Sequence, residues 1–168
     1  MLQNPIHLRL EKLESWQHLT FMACLCERMY PNYAMFCQQT GFGEAQLYRR
    51  IVDLIWETLT VKDAKINFDS QLEKLEEAIP SADDYDMYGV YPAIDACVAL
   101  SELVHSLLSG ETLEHAIEVS KTSFTTEARL EMTHLGHFQH RHSGKGCLTD
   151  FDSGFQRFTA QKRMHQFA

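Results

Sequence analysis

Two Glu-x-x-His motifs, at residues 102–105 and 131–134, contain the side chains in this sequence best suited to chemistry. Residues three positions apart share one face of a helix, so each motif could bind one metal ion. Two such helices with two further glutamates form the di-iron or di-manganese sites of helical bundles. The motifs therefore predict a metal site made of Glu102, His105, Glu131 and His134, provided that the fold brings them together.

The alternative interpretation is that these side chains are solvated charges beside a buried helix stripe. The sequence holds 14 glutamates and 9 histidines in 168 residues, and short motifs of common residues arise by chance. Glu57 and Glu73 could complete a metal site, but nothing in their spacing distinguishes them from the other glutamates. This interpretation predicts no metal ion and no cofactor.

Three cysteines near the amino terminus suggest thiolate chemistry, namely Cys24, Cys26 and Cys37. Positions i and i+2 of a helix point about 200° apart, so Cys24 and Cys26 cannot face one ligand. The spacing also lacks the paired cysteines typical of a zinc site. The cysteines are therefore predicted to act as small buried hydrophobic residues.

An acidic and tyrosine-rich connector precedes Pro92 and contains Asp84, Tyr85, Asp86 and Tyr88. It lacks an oxygen ligand at the fifth position of a calcium loop and a bidentate glutamate at the last, so a calcium site is not predicted. Aromatic residues with a polar rim are typical of protein contact surfaces, and these four residues could bind a basic or helical partner. The alternative is that the tyrosines, with Tyr91, pack the entrance of the following helix.

The net charge of −8 is distributed unevenly along the chain. Residues 1–132 contain 21 acidic and 10 basic side chains, whereas residues 133–168 contain two acidic and five basic ones. Because phosphate contacts need clustered Lys and Arg, neither nucleic acid nor an anionic membrane is an expected partner. An unknown protein or small molecule is expected instead, and self-association is left open. Five cysteines without a recognisable signal sequence indicate a cytoplasmic location.

Hydrophobic periodicity predicts an all-α fold, a bundle of about six to seven helices within residues 1–132. Pro31 is expected to end the second helix, and Asn32 to begin the third. A stripe in the helix after Pro92 is predicted to be buried, and its members are Ile94, Cys97, Val98, Ser101, Val104 and Leu108. No alternating pattern typical of β-strands is sustained.

After Thr133 the pattern changes, because glycines interrupt every potential helix and His134, His137, His140 and His142 form a dense histidine tract. Such a tract binds divalent metal only loosely, since a specific site needs fixed geometry. Residues 133–168 are therefore predicted to be an irregular, poorly ordered tail.

Four segments resemble the YjaG family of small bacterial cytoplasmic proteins, a family with a domain of unknown function. They are SWQHLTFMACLCERMYPNYAMFCQQTGFG, YRRIVDLIWE, DSQLEKLEEAIPSADDYDMYGVYPAIDACVALSELVH and SGETLEHAIEVSKTS. The resemblance covers about residues 1–132 and implies a compact all-helical fold without assigning any catalytic residue. The departure after Met132 is explained either by a changed reading frame or replaced 3′ end, or by a genuine lineage-specific tail.

These observations favour a cytoplasmic helical protein that binds or regulates a partner without catalysis. The alternative function is a metal-dependent helical-bundle enzyme that uses Glu102 and His105.

Overall fold

The computed structural model describes residues 9–62 and 64–137, with side chains as far as Glu131. These residues form five α-helices and one short 3₁₀ turn, and none of them lies in a β-strand. The helices are α1 (Ser15–Thr40), α2 (Ala45–Thr60), α3 (Phe68–Glu77), α4 (Val90–Ser109) and α5 (Leu113–His137), and the turn is Ala82–Asp84. The all-α prediction is confirmed, but the predicted count of six to seven helices is wrong, because the described residues form five.

The main cause of the lower count is that α1 continues through Pro31. Pro31 lacks the N–H that would bond to the carbonyl one turn earlier, which normally kinks or ends a helix. Here Pro31 is exposed, whereas Tyr33 and Phe36 on the inward side are completely or almost completely buried. Burial on both sides of Pro31 thus holds the helix together. The first of the predicted helices lies mostly outside the described residues, of which Arg9 and Leu10 are helical.

α2 is amphipathic. Leu47, Ile51, Ile55 and Leu59 are buried on one face, while charged residues occupy the opposite face, so the sequence specifies which side packs inward. α3 begins where the Asn67 side chain accepts a hydrogen bond from the backbone N–H of Ser70, at 3.2 Å.

α4 packs extensively along α1. Its buried face includes three alanines, Ala93, Ala96 and Ala99, whose small side chains permit close approach of the two backbones. The predicted stripe is only partly correct, since Cys97 and Val104 are buried but Val98 and Leu108 are 37% and 43% exposed. Apolar residues occur on almost every side of α4, so periodicity alone could not identify the packed face.

By length and composition, α4 is also the one helix in the described part of the chain apolar enough to cross a membrane. Half of the relevant segment is buried against other helices, and the core helices of soluble proteins pass the same test.

Buried tyrosines connect the helices through hydrogen bonds. The Tyr48 hydroxyl on α2 donates to backbone carbonyls of both neighbouring helices, with oxygen distances of 3.0 Å to Cys26 and 3.3 Å to Ala96. The Tyr33 hydroxyl donates to the carbonyl of Ala78 at 3.0 Å. Each phenol thereby satisfies its polar atom inside the core, as buried tyrosines require.

α4 and α5 form an antiparallel hairpin across Gly110, which has a positive φ of 78° and ends α4. Thr126 donates to the Asp95 carboxylate at 2.7 Å and fixes the register of the two helices. α5 extends to His137, past Thr133, where the helical pattern was expected to end. Residues 138–168, which make up most of the predicted tail, lie outside the described residues.

Candidate functional site

Glu102 and His105 lie one turn apart on α4 and have different hydrogen-bond partners. The Glu102 carboxylate accepts a hydrogen bond from Nδ1 of His115 on α5, at 2.6 Å. His105 is exposed, and its Nδ1 lies 2.9 Å from the carbonyl oxygen of Ser101 on its own helix. The predicted pair is therefore replaced by a contact between Glu102 and His115, across the helix hairpin.

The remaining predicted metal ligands do not join this contact. Glu131 is exposed on α5, and Glu57 and Glu73 are exposed on α2 and α3. His134 belongs to α5, but its side chain lies beyond the last described one. Among the described residues, no group of three His, Cys, Asp or Glu side chains is placed to hold a metal ion.

The four cysteines within the described residues are free thiols. Cys26 and Cys97 are buried, and burial raises the pKa of both thiols far above the ordinary value. Burial also raises the pKa of Cys24 to about 11 and raises that of Cys37. Nucleophilic or metal-binding cysteines need the thiolate form, which these environments disfavour. Of the three cysteines predicted to be small buried hydrophobic residues, only Cys26 is buried, whereas Cys24 and Cys37 are half-buried.

The tyrosines of the acidic connector have two different environments. Tyr85 is half-buried, and its ring packs edge-on against Phe36 and Phe42 with centroid distances of 4.9 Å and 6.0 Å. It therefore packs at the entrance of α4, as the alternative interpretation predicted. Tyr88 and Tyr91 instead lie against each other at a centroid distance of 6.1 Å. They are 40% and 46% exposed.

The tyrosine pair lies beside a run of exposed acidic residues. Asp83 and Asp84 belong to the 3₁₀ turn, and both are exposed, as is Asp86 just after it. The wider segment 75–120 contains ten acidic side chains and neither Lys nor Arg. The Tyr88–Tyr91 pair and these three aspartates, which we call the tyrosine–acid patch, form an aromatic surface in a negative environment.

Sequence reasoning missed an ion-pair cluster between α1 and α2. Arg49 donates two hydrogen bonds to the Glu27 carboxylate, at 2.5 Å and 2.6 Å, and Trp56 donates a third at 2.9 Å. The bonds from Arg49 hold the pKa of Glu27 below its usual range. Because 22 residues separate the two charges, no local spacing rule could have paired them. The cluster links α1 to α2, and the Glu27 carboxylate is fully engaged by Arg49 and Trp56.

The contact between Glu102 and His115 was missed for a related reason. Only an antiparallel hairpin about Gly110 brings these two positions together, and the glycine is the one signal that could have indicated it. A carboxylate orients the imidazole here, which is half of a general-base arrangement. Within the described residues, no third His, Cys, Asp or Glu completes a metal site with this pair.

Comparisons with known proteins agree with the fold. The sequence model of the family described as "Protein of unknown function (DUF416)" matches residues 5–140. The chain is 88% identical over 136 residues to the Uncharacterized protein YjaG of Escherichia coli strain K12, covering 81% of this chain and 69% of that protein. It is 57% identical over 136 residues to an uncharacterized protein of Haemophilus influenzae, covering 80% and 69%.

A solved structure shows the same fold. The crystal structure of a DUF416 family protein from Shewanella baltica OS155, at 1.91 Å resolution, superposes with a TM-score of 0.71. The superposition has 30% sequence identity and covers 98% of this chain and 82% of that one. The resemblance to YjaG is confirmed, and the family match continues to residue 140, past the expected limit at 132. This chain therefore belongs to the DUF416 family.

Proposed function

We propose that this protein is a cytoplasmic binding or regulatory module without catalysis, and that the tyrosine–acid patch contacts a protein partner. The observation that carries the proposal is the exposed Tyr88–Tyr91 pair, with centroids 6.1 Å apart. Tyrosine supplies a large contact area at low entropic cost, and it is enriched among the residues that dominate binding energy.

The surrounding charge favours a protein over a nucleic acid or an anionic membrane. Segment 75–120 has no Lys or Arg with which to contact phosphate groups. The free thiols of the described cysteines accord with a reducing compartment.

Affinity capture from bacterial extract tests this proposal. The double variant Tyr88→Ala/Tyr91→Ala should lose a partner that the unchanged protein retains, while its thermal unfolding stays nearly unchanged because both rings are exposed. Phe124→Ala is the matched control, since Phe124 is an exposed aromatic residue on α5 with 64% exposure. A partner that binds the double variant and the control equally well would disprove a role for the patch.

Metal analysis tests the alternative function, a metal-dependent reaction. The protein, purified without a tag, should contain no stoichiometric iron or manganese, because His115 occupies the Glu102 carboxylate. Stoichiometric metal that is lost on Glu102→Ala would overturn the proposal that the module is not an enzyme. Asp95→Ala, on the same helix, removes the acceptor for Thr126 and controls for general loss of the α4–α5 contact.

A further inference from the structure

A stripe of exposed and half-exposed residues runs along α4. Tyr91, Val98, His105 and Leu108 are exposed, and Ile94 and Ser101 are half-buried. We call these six residues the α4 seam. Four of its members are apolar or aromatic, and the polar Ser101 and His105 lie between Val98 and Leu108. Single exposed apolar residues are ordinary, but several on one face of a helix favour an interaction site.

The spacing within the α4 seam is that of a helix-packing surface. Successive members are separated by 3, 4, 3, 4 and 3 residues, which places all six on one face of the helix. This is the a and d pattern by which one helix packs along another. At 1.5 Å per residue the seam is about 26 Å long, which matches a partner helix of about five turns.

Charge decides which helix would fit. Asp95 and Glu102 lie beside the seam on α4 and accept hydrogen bonds from Thr126 and His115 of α5. The exposed Asp83, Asp84 and Asp86 precede the first turn of α4. Neither α4 nor the connector contains Lys or Arg. A second copy of this chain would bring the same negative charges together, whereas a helix with basic flanks would place opposite charges against them.

We propose that the α4 seam binds an amphipathic helix of a partner protein, with apolar residues facing the seam and Lys or Arg beside them, opposite the acidic residues of α4 and the connector. The proposal rests on the function proposed above, and it specifies the class of partner. Tyr91 belongs both to the seam and to the tyrosine–acid patch, so the two surfaces are continuous. The partner helix would make most of its contacts with the seam, and Tyr88 would extend the contact surface beyond the amino-terminal end of α4.

Three labelled 21-residue peptides test the proposal with the full chain by fluorescence anisotropy. The first has leucine at heptad positions a and d and lysine or arginine on the flanks. The second replaces the basic residues with glutamate, and the third permutes the first so that no apolar stripe remains. We expect the first peptide to bind about tenfold or more tightly than either of the others.

Variants of the protein locate the binding site. Val98→Asp should weaken binding of the first peptide by about tenfold or more. Leu108→Lys, a change that the last turn of a helix tolerates well, should do the same. Phe124→Asp, away from the seam, should not. Thermal unfolding of each variant confirms that it is folded.

Several results would overturn this inference. One is binding of the first peptide weaker than about 0.1 mM, and another is equal binding by the permuted peptide or by Val98→Asp. Self-association that Val98→Asp abolishes would assign the seam to a second copy instead. If Tyr88→Ala abolishes partner capture and Val98→Asp does not, the binding function stands and the helix-docking inference fails. If neither change affects capture, both fail.

Discussion

Gly43 lies directly against the hydroxyl group of Tyr33, and a Cβ atom at this position would overlap that oxygen. Gly43 has a positive φ of 75°, and the Tyr33 hydroxyl donates to the carbonyl of Ala78 at 3.0 Å. The turn between α1 and α2 therefore determines whether a buried hydrogen bond can form. Only glycine provides both the backbone conformation and the space.

Gly43→Ala should destabilise the protein by about 3 kcal/mol, the sum of left-handed strain and displacement of a buried hydrogen bond. Gly41→Ala is a matched control, because Gly41 has a φ of 72° but no atom within 4 Å of the added Cβ. It should cost only about 1–2 kcal/mol. Urea unfolding of both variants measures the difference. Equal losses would show that contact with Tyr33 is unimportant.

Glu27→Gln should make stability less sensitive to acid. Hydrogen bonds from Arg49 lower the pKa of Glu27 in the folded state. The contribution of this carboxylate is therefore present above its ordinary pKa and is lost as the pH falls through the folded pKa. The variant should cost about 1–3 kcal/mol at neutral pH and should flatten the stability curve below about pH 5.

The control for that experiment is Glu118→Gln, because Glu118 pairs with Lys121 on the exposed face of α5. This change should cost no more than about 1 kcal/mol. If both variants lose stability in parallel as the pH falls, the interaction between Glu27 and Arg49 does not cause the acid sensitivity.

Thiol labelling should be slow in the folded protein. Burial raises the pKa of Cys24 to about 11, which lowers its thiolate fraction near pH 8 by about a hundredfold. Cys26 and Cys97 should react with Ellman's reagent only after unfolding, because they are fully buried. The experiment uses a Cys147→Ala background, so that labelling reports only on the four cysteines that the structure describes. Rapid labelling of Cys26 without denaturant would contradict the packing of α1.

Tyr85→Ala and Tyr88→Ala should have opposite effects. Tyr85 packs against Phe36 and Phe42, so its removal should lower the free energy of unfolding by about 2 kcal/mol and leave partner binding intact. Tyr88 is exposed, so its removal should cost about 0.5 kcal/mol or less and reduce partner binding. Thermal unfolding and capture of the same two variants separate the roles. Loss of stability in both, with the partner still bound, would end the case for a contact surface.

The sequence predicted some helices better than others for a physical reason. On α2, charged residues exclude one face from the core, so Ile51 and Ile55 could only point inward. On α4 both faces are apolar, and the choice between Val98 and Leu100 depends on α1, which lies far away in the sequence. Pro31 predicted the end of a helix, but burial of the surrounding residues keeps the helix continuous.

The candidate site was predictable to a similar extent. Composition correctly identified the connector as unusual, with aromatic and acidic residues together. The separation of Tyr85 from Tyr88 depends on Phe36 and Phe42, which the connector meets only in the folded protein. The pairing of Glu102 with His115 likewise depends on the hairpin register, whereas the spacing of Glu102 and His105 was a purely local feature.

The most direct test of the binding account is site-specific photo-crosslinking in bacterial cells. A benzophenone amino acid is placed at Tyr88 or Val98, and at Phe124 as the control. Positions 88 and 98 should give the same discrete adduct, and mass spectrometry should locate the crosslinked segment in a basic amphipathic helix. The control position should not give that adduct. Identical patterns from all three positions, or no adduct from positions 88 and 98, would contradict the account.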